Sequence, residues 1–132
     1  MPTVSVRYIV NNVDEAIPFY CDLLGFEEVM HPAPPFAMLR RGDLRLLLSQ
    51  PGGGPGGGQA GGSPTPGGWN RFAVEVDDLD AFLEPLRAAG VKFRGDVAEG
   101  IGGRQVIAED PSGNPIELFQ PTLDEARLGA GS

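Results

Sequence analysis

Two side chains in the sequence could act as a base or a nucleophile near neutral pH, the single histidine His31 and the single cysteine Cys21. His31 lies in the proline-rich stretch MHPAPPF between two extended segments, which favours a surface or pocket-rim residue over a metal ligand or general base. Cys21 lies in a helical pattern with no base beside it, which favours a partly buried small side chain over a nucleophile. Neither residue by itself predicts a catalytic centre.

A glycine- and proline-rich segment, residues 51–68, is another stretch whose composition could carry chemistry, because glycine-rich loops can hold phosphate. Phosphate binding of that kind needs a helix N-terminus directly after the loop and usually a lysine. Here Trp69 leads instead into the strand pattern RFAVEV. We therefore predict a flexible linker rather than a phosphate site.

The composition excludes several kinds of partner. A net charge of −8 repels phosphate backbones, so we expect no nucleic-acid partner. No apolar stretch is long enough to cross a bilayer, so we expect no membrane partner. A single cysteine excludes an intramolecular disulfide, and the N-terminus has no signal-peptide core, so a cytoplasmic location is the expectation. The length of 132 residues fits one domain, residues 1–132.

The stretches before and after the linker resemble each other, as alignment of VRYIVNNVDEAIPFY with RFAVEVDDLDAFLEPL shows. Each begins with a strand of alternating apolar residues and continues into a helix with apolar residues at three-and-four spacing. Pro18 and Pro85 each remove a backbone donor, so we expect a late helix start near Pro18 and a bend near Pro85. Each helix has two candidate N-caps and a glycine stop: Asn12 or Asp14 with Gly25, and Asp78 or Asp80 with Gly90.

Three shorter extended segments follow each helix, at 27–30, 36–40 and 44–49 and at 92–94, 104–108 and 116–120. A sheet with one helix on one face leaves its other face open, and two such sheets set edge to edge can curl around a cavity. We therefore predict an α+β fold in which two tandem βαβββ modules form a curved mixed sheet that encloses a cleft. The modules span about 3–50 and 69–121, with the linker at 51–68 between them and a tail at 122–132.

Three segments of the sequence carry a resemblance to a known family: the opening RYIVNNVDEAIPFYCDLLGF, the turn EVDDLDAF and the ending DPSGNPIEL. They resemble the vicinal oxygen chelate superfamily, which includes glyoxalases, extradiol dioxygenases, fosfomycin-resistance enzymes and bleomycin-resistance proteins. The resemblance runs from about Val4 to Pro121 and implies the glyoxalase/bleomycin-resistance fold. Enzymes of this superfamily hold a divalent metal with four His, Gln or Glu side chains, two from each module.

The resemblance carries those four metal-ligand positions onto Ser5, Arg71, Glu117 and either Leu46 or Leu47. Only Glu117 could ligate a metal ion, and catalytic sites generally use three or more protein ligands. The cationic Arg71 would also repel the ion. We therefore predict no metal site and no cofactor. Arg71 could form an ion pair with Glu117 or contact a polar group of a bound ligand, and both interpretations stay open.

Bleomycin-resistance proteins of the superfamily bind the antibiotic as dimers without breaking a bond, and the resemblance implies a similar cleft here. Aromatic and thioether side chains suit a planar, largely apolar ligand, which Arg71, Arg40 or Gln105 could orient. For Phe36 and Phe119 a core position is equally compatible with the pattern, whereas for Trp69 we favour the cleft or its lid. The predicted ligand-binding residues are Phe36, Met38, Trp69, Arg71, Glu117 and Phe119.

The sequence therefore predicts a metal-independent homodimer that sequesters an aromatic or largely apolar natural product and has no catalytic residue. The alternative is a superfamily-type enzyme, a lyase, isomerase or dioxygenase-like protein. In it Glu117 would act as general base and Arg71 would stabilise an enolate or oxyanion. A regulatory or purely structural module is a third interpretation.

Overall fold

The computed structural model describes residues 4–52 and 63–122 of the chain. The chain divides into two compact units, Met1–Trp69 with Asp110–Asn114 and Asn70–Glu109 with Pro115–Ser132. Residues 53–62 of the predicted linker, and the predicted tail from 123 onward, lie outside the described residues. Within the described ranges, no helix is long and apolar enough to span a membrane.

The first unit is a four-stranded sheet with one helix. The elements are β1 at Val4–Ile9, α1 at Val13–Pro18, β2 at Glu27–Ala33, β3 at Phe36–Arg41 and β4 at Leu44–Ser49. A π-helical turn at Phe19–Leu23 follows α1 directly. The strands run in the order β1-β4-β3-β2, with β1 parallel to β4 and the other neighbours antiparallel.

The start of α1 differs from the prediction. The helix begins at Val13 rather than near Pro18, because the Asn12 side chain accepts the backbone N–H of Glu15 at 2.9 Å and caps it there. Pro18 is instead the last residue of the regular α-helix, where the π-helical turn takes over. A proline at this position interrupts the hydrogen-bond ladder without preventing an earlier start.

The second unit repeats the same order with one difference. The elements are β5 at Ala73–Glu75, α2 at Leu79–Ala88, β6 at Lys92–Phe93, β7 at Ala98–Glu99, β8 at Gly103–Glu109 and β9 at Pro115–Pro121. The strands run β5-β9-β8-β6, and the short strand β7 also pairs with β8. The strand predicted at 92–94 is β6, whereas β7 was not predicted; it pairs with β8 after a break in the chain direction at Gly95, whose φ is +88°.

In each unit the core lies between the helix and one face of the sheet. Leu46 and Leu48 of β4 are fully buried, as are Ile116 and Leu118 of β9. The helix α1 packs against β4, and α2 packs against β9. The α+β class and the βαβββ order are thereby confirmed. Because strand residues alternate between faces, the side chains between these leucines and isoleucines lie on the face away from the helix.

The DPSGN turn, residues 110–114, belongs to the first unit and is held there by buried hydrogen bonds. The Tyr20 hydroxyl donates to Asp110 Oδ2 at 2.7 Å, and Asn114 Nδ2 donates to the same oxygen at 3.0 Å and to the Ile9 carbonyl at 2.7 Å. Asp110 Oδ1 accepts the backbone N–H groups of Ser112 and Asn114 at 2.8 and 2.9 Å.

Burial, together with the Asp110 carboxylate, raises the pKa of Tyr20 well above its ordinary value, which keeps the hydroxyl protonated as a donor.

Candidate functional site

An ion pair between Arg71 and Glu117 lies at the second sheet. Arg71 Nε and Nη2 approach Glu117 Oε1 at 3.1 and 3.0 Å, and the two side chains are 27% and 21% exposed. The backbone positions the pair, because the Glu117 N–H donates to the Phe72 carbonyl at 3.0 Å and Ala73 is the register partner of Glu117. The pairing of these two residues, one of the two interpretations of the sequence, is therefore present in the structure.

Strand register identifies the counterpart of Glu117 in the first sheet. In the second sheet, the register partner of Glu117 is Ala73, two residues after Arg71. In the first sheet, the residue two positions after Ser5 is Arg7, and its register partner is Leu47. Leu46 is fully buried on the helix side, so it cannot occupy the equivalent position. The position is therefore Leu47, whose side chain has no atom that could bind a metal.

The residues at the four positions do not fit the divalent metal that the resemblance implies. The first sheet offers only a serine hydroxyl and a leucine, and in the second a fixed cation already contacts the single carboxylate. A metal ion would therefore have to displace the Arg71 guanidinium from that carboxylate. Across residues 4–52 and 63–122, no three His, Cys, Asp or Glu side chains are grouped in a way that could hold a metal.

The face of the second sheet that carries Glu117 also carries Phe119, and the absence of a side chain at Gly103 leaves room for this ring. A Cβ on Gly103 would lie 3.0 Å from two ring carbons of Phe119 and would overlap the Gln120 carbonyl oxygen. Phe119 is only partly buried, unlike its neighbour Leu118. Sequence reasoning missed Gly103, although a glycine inside a strand pattern signals a close approach of this kind.

The other predicted ligand-binding residues belong to the first unit. Phe36 and Met38 are partly buried on the face of the first sheet that points away from α1, because the alternating residues Ala37 and Leu39 are fully buried. Trp69 is 67% exposed. The structure thus brings Phe36 and Met38 onto one face, and Arg71, Glu117 and Phe119 together at another.

The two reactive residues considered first both lie in the first unit. His31 Nε2 lies 3.7 Å from Asp14 Oδ1, and this buried nitrogen has no hydrogen-bond partner among the described residues. Cys21 is partly buried, as expected. Burial, with the Glu28 and Asp22 carboxylates, raises the pKa of its thiol, which disfavours the nucleophilic thiolate.

Comparisons with known proteins agree with this fold. The family model described as the Glyoxalase/Bleomycin resistance protein/Dioxygenase superfamily matches residues 3–118. The crystal structure of TnmS3, an antibiotic binding protein from Streptomyces sp. CB03234, is 25% identical, with 92% of this chain and 97% of that chain covered and a TM-score of 0.72. No curated protein matches the sequence.

Two further solved structures show how varied proteins of this fold are. The bleomycin-binding protein from bleomycin-producing Streptomyces verticillus, complexed with copper(II)-bleomycin, is 24% identical over 91% of this chain and 96% of that one, with a TM-score of 0.61. Lactoylglutathione lyase from Agrobacterium tumefaciens is 22% identical over 90% and 92%, with a TM-score of 0.70. Binding proteins and enzymes thus share the architecture, and the chain belongs to the glyoxalase/bleomycin resistance protein/dioxygenase superfamily.

Proposed function

We propose that this protein binds a largely apolar small molecule, without a metal ion and without breaking a bond, and so sequesters it. The observation that carries the proposal is the Arg71–Glu117 ion pair, with its 3.0 Å contact between Nη2 and Oε1. Two of the four positions that hold the metal in enzymes of the superfamily are joined here by a charge pair of the protein's own. A divalent ion would have to displace a permanent cation from the one carboxylate present.

The side chains near these positions support an aromatic or apolar ligand. Phe36, Met38 and Phe119 are partly buried on sheet faces that point away from the helices, so they do not belong to the cores between helix and sheet. Aromatic faces and a polarizable sulfur favour planar ligands. The antibiotic binding described for TnmS3, at 25% identity over nearly the whole chain, supports a natural product of the antibiotic type.

The competing proposal is an enzyme in which Glu117 takes a proton and Arg71 stabilises the resulting oxyanion. The direct contact between Arg71 and Glu117 favours this proposal, because the base and the oxyanion-stabilising group would then act on the same ligand. The same contact opposes it, because Arg71 already occupies the Oε1 oxygen that a general base would present to its substrate. Sequestration and catalysis differ in one measurable respect, which is whether the ligand is recovered unchanged.

The test is a screen of aromatic antibiotics by quenching of Trp69, the single tryptophan, followed by mass spectrometry of each mixture. The proposal predicts that hits bind and are recovered unchanged. It also predicts that Arg71→Ala weakens binding, and that elemental analysis of the dialysed protein finds no stoichiometric divalent metal.

Glu109→Gln is the matched control for Glu117→Gln, because Glu109 also forms an ion pair on the second sheet, with Arg94 at 2.7 Å. Sequestration predicts unchanged ligand with the native protein and with both variants. Turnover of a hit that Glu117→Gln abolishes, while binding and the Glu109→Gln activity persist, would establish the enzyme instead. Stoichiometric metal that is lost on Glu117→Gln would overturn the metal-independent site.

We also propose that the protein acts as a homodimer. Each sheet ends in edge strands, β1 and β2 in the first unit and β5, β6 and β7 in the second. An edge strand can pair with the edge strand of a second copy, and closed dimers are the commonest homo-oligomers.

A further inference from the structure

The register of the first sheet arranges the face away from α1 in three rows across the four strands, with an irregularity in β2 on either side of Met30. The row nearest the turn between β3 and β4 is polar, the middle row is mostly apolar, and the third is mixed. In the order β1-β4-β3-β2 the rows are Ser5, Arg45, Arg40 and Glu27; Arg7, Leu47, Met38 and Met30; and Ile9, Ser49, Phe36 and Ala33. We call these twelve residues the first-sheet face.

The first-sheet face concentrates positive charge in an acidic protein. The chain has ten lysines and arginines and a net charge of −8, yet Arg7, Arg40 and Arg45 all lie in adjacent rows of this one face. Arg40 and Arg45 are direct register partners, and like charges placed opposite each other destabilise a sheet. Within the four strands, the only acid on this face is Glu27, at its edge.

The three guanidinium groups are not neutralised to the same extent. Arg40 Nη2 contacts Glu27 Oε1 at 3.2 Å. Arg7 Nη1 donates to the neutral Ser49 hydroxyl at 2.7 Å, which supplies no charge. Arg45 is exposed and forms no ion pair with any residue in the described ranges. Among the described residues, neither Arg45 nor Arg7 therefore has a carboxylate within ion-pair distance.

Apolar side chains adjoin this charge. Leu47 separates Arg45 from Ser49 on β4 and is the register partner of both Arg7 and Met38. Leu47 and Met38 are partly buried, and Met30 is 43% exposed at the end of the same row. A molecule lying along the middle row would place its apolar part on a leucine and two thioethers, and one end beside arginine.

We infer that the first-sheet face binds an apolar small molecule that carries an anionic oxygen group, such as a carboxylate, sulfonate or ionised phenol. This inference rests on the proposed function and names the ligand class. Arg45 and Arg7 hold the anion, since a guanidinium donates charge-assisted hydrogen bonds to such oxygen groups and can bind a carboxylate with two of them. Leu47, Met38 and Met30 cover the apolar part. Charge complementarity selects an acidic ligand over a neutral one of the same shape.

The experiment compares two fluorescent probes that differ in one group, anilinonaphthalenesulfonate and N-phenylnaphthylamine, which lacks the sulfonate. Binding of each is titrated to the full chain and to the variants Arg45→Gln, Arg45→Lys and Arg71→Gln. Arg87→Gln is the control for net charge, because Arg87 is exposed on α2 in the second unit. Thermal melts of every variant establish that it is folded, since loosely folded states also bind these dyes.

The native protein should bind the sulfonate more tightly than the neutral probe. Arg45→Gln should reduce affinity for the sulfonate by about threefold to tenfold and leave the neutral probe unchanged, as expected for a partly exposed charged contact. Arg45→Lys should recover part of the loss, and added salt should weaken only the sulfonate.

Equal affinity for the two probes, unaffected by Arg45→Gln, would overturn the anionic ligand class and leave an apolar binding protein, as proposed above. A sulfonate preference lost in Arg71→Gln but kept in Arg45→Gln would overturn the first-sheet face as the site. Binding of neither probe would overturn this inference, and the antibiotic screen described above then decides separately whether the proposed function fails as well.

Discussion

Tyr20→Phe and Asp110→Ala should destabilise the protein through one shared hydrogen bond, and the structure sets the size of each effect. The Tyr20 hydroxyl donates to Asp110 Oδ2 at 2.7 Å, and the tyrosine is fully buried. Phenylalanine keeps the ring and its edge-on contacts with Phe19 and Phe26, at centroid distances of 5.0 and 5.6 Å. The substitution therefore removes a single bond to a charged acceptor, which costs about 1.5–3 kcal/mol in the free energy of unfolding.

Asp110→Ala should cost more, because the carboxylate accepts four hydrogen bonds and is 4% exposed. Alanine leaves the Tyr20 hydroxyl buried without an acceptor and also frees the two backbone N–H groups of the turn. Loss of one partner from a buried charged network costs about 3–5 kcal/mol. In the double variant the orphaned hydroxyl is absent, so the combined loss should fall short of the sum by about 1–2 kcal/mol.

Urea unfolding followed by far-ultraviolet circular dichroism measures all three changes. Glu84→Ala is the control, an exposed acid on α2 whose removal should change stability by less than about 0.5 kcal/mol. Additive effects of Tyr20→Phe and Asp110→Ala would refute the reasoning, because they would show that the two side chains do not share a bond that contributes to stability. A loss below about 1 kcal/mol for Asp110→Ala would refute it too.

Three further predictions concern the pH dependence due to Tyr20, the close contact at Gly103 and the assembly of the protein. Folding raises the pKa of Tyr20 above its ordinary value of 10.0, so the stability that this hydroxyl contributes is complete below pH 10.0 and is lost as the pH rises beyond it. Between about pH 9 and 11, the free energy of unfolding measured in urea should therefore fall more steeply for the native protein than for Tyr20→Phe. Gly103→Ala should lower stability by about 1–3 kcal/mol in the same assay, since the new Cβ overlaps the Gln120 carbonyl, whereas Gly100→Ala, with its nearest contact at 3.9 Å, should be nearly neutral. Sedimentation at micromolar concentration should give the mass of a dimer, and a monomer there would contradict the proposed assembly.

Local sequence patterns determined the elements of this protein, because their causes lie within a few residues of each other. Alternating apolar residues predicted the strands, and the three-and-four spacing predicted both helices. Gly25 and Gly90 have φ values of +79° and +77°, as expected of helix stops. The predicted helix start near Pro18 was wrong. A proline indicates only that one backbone donor is missing, and it does not indicate whether an upstream cap, here Asn12, already stabilises the first turn.

Only the tertiary structure decided which of these residues meet. Leu46 and Leu47 are equivalent in the sequence, and the pairing of Arg7 with Leu47 separates them, because a shift of one residue moves a side chain to the opposite face. The Arg71–Glu117 pair joins residues 46 positions apart, and the first-sheet face exists only once four strands are in register. The family resemblance indicated which positions would hold a metal. That Arg71 and Glu117 form an ion pair at two of these positions depends on distances that no local pattern contains.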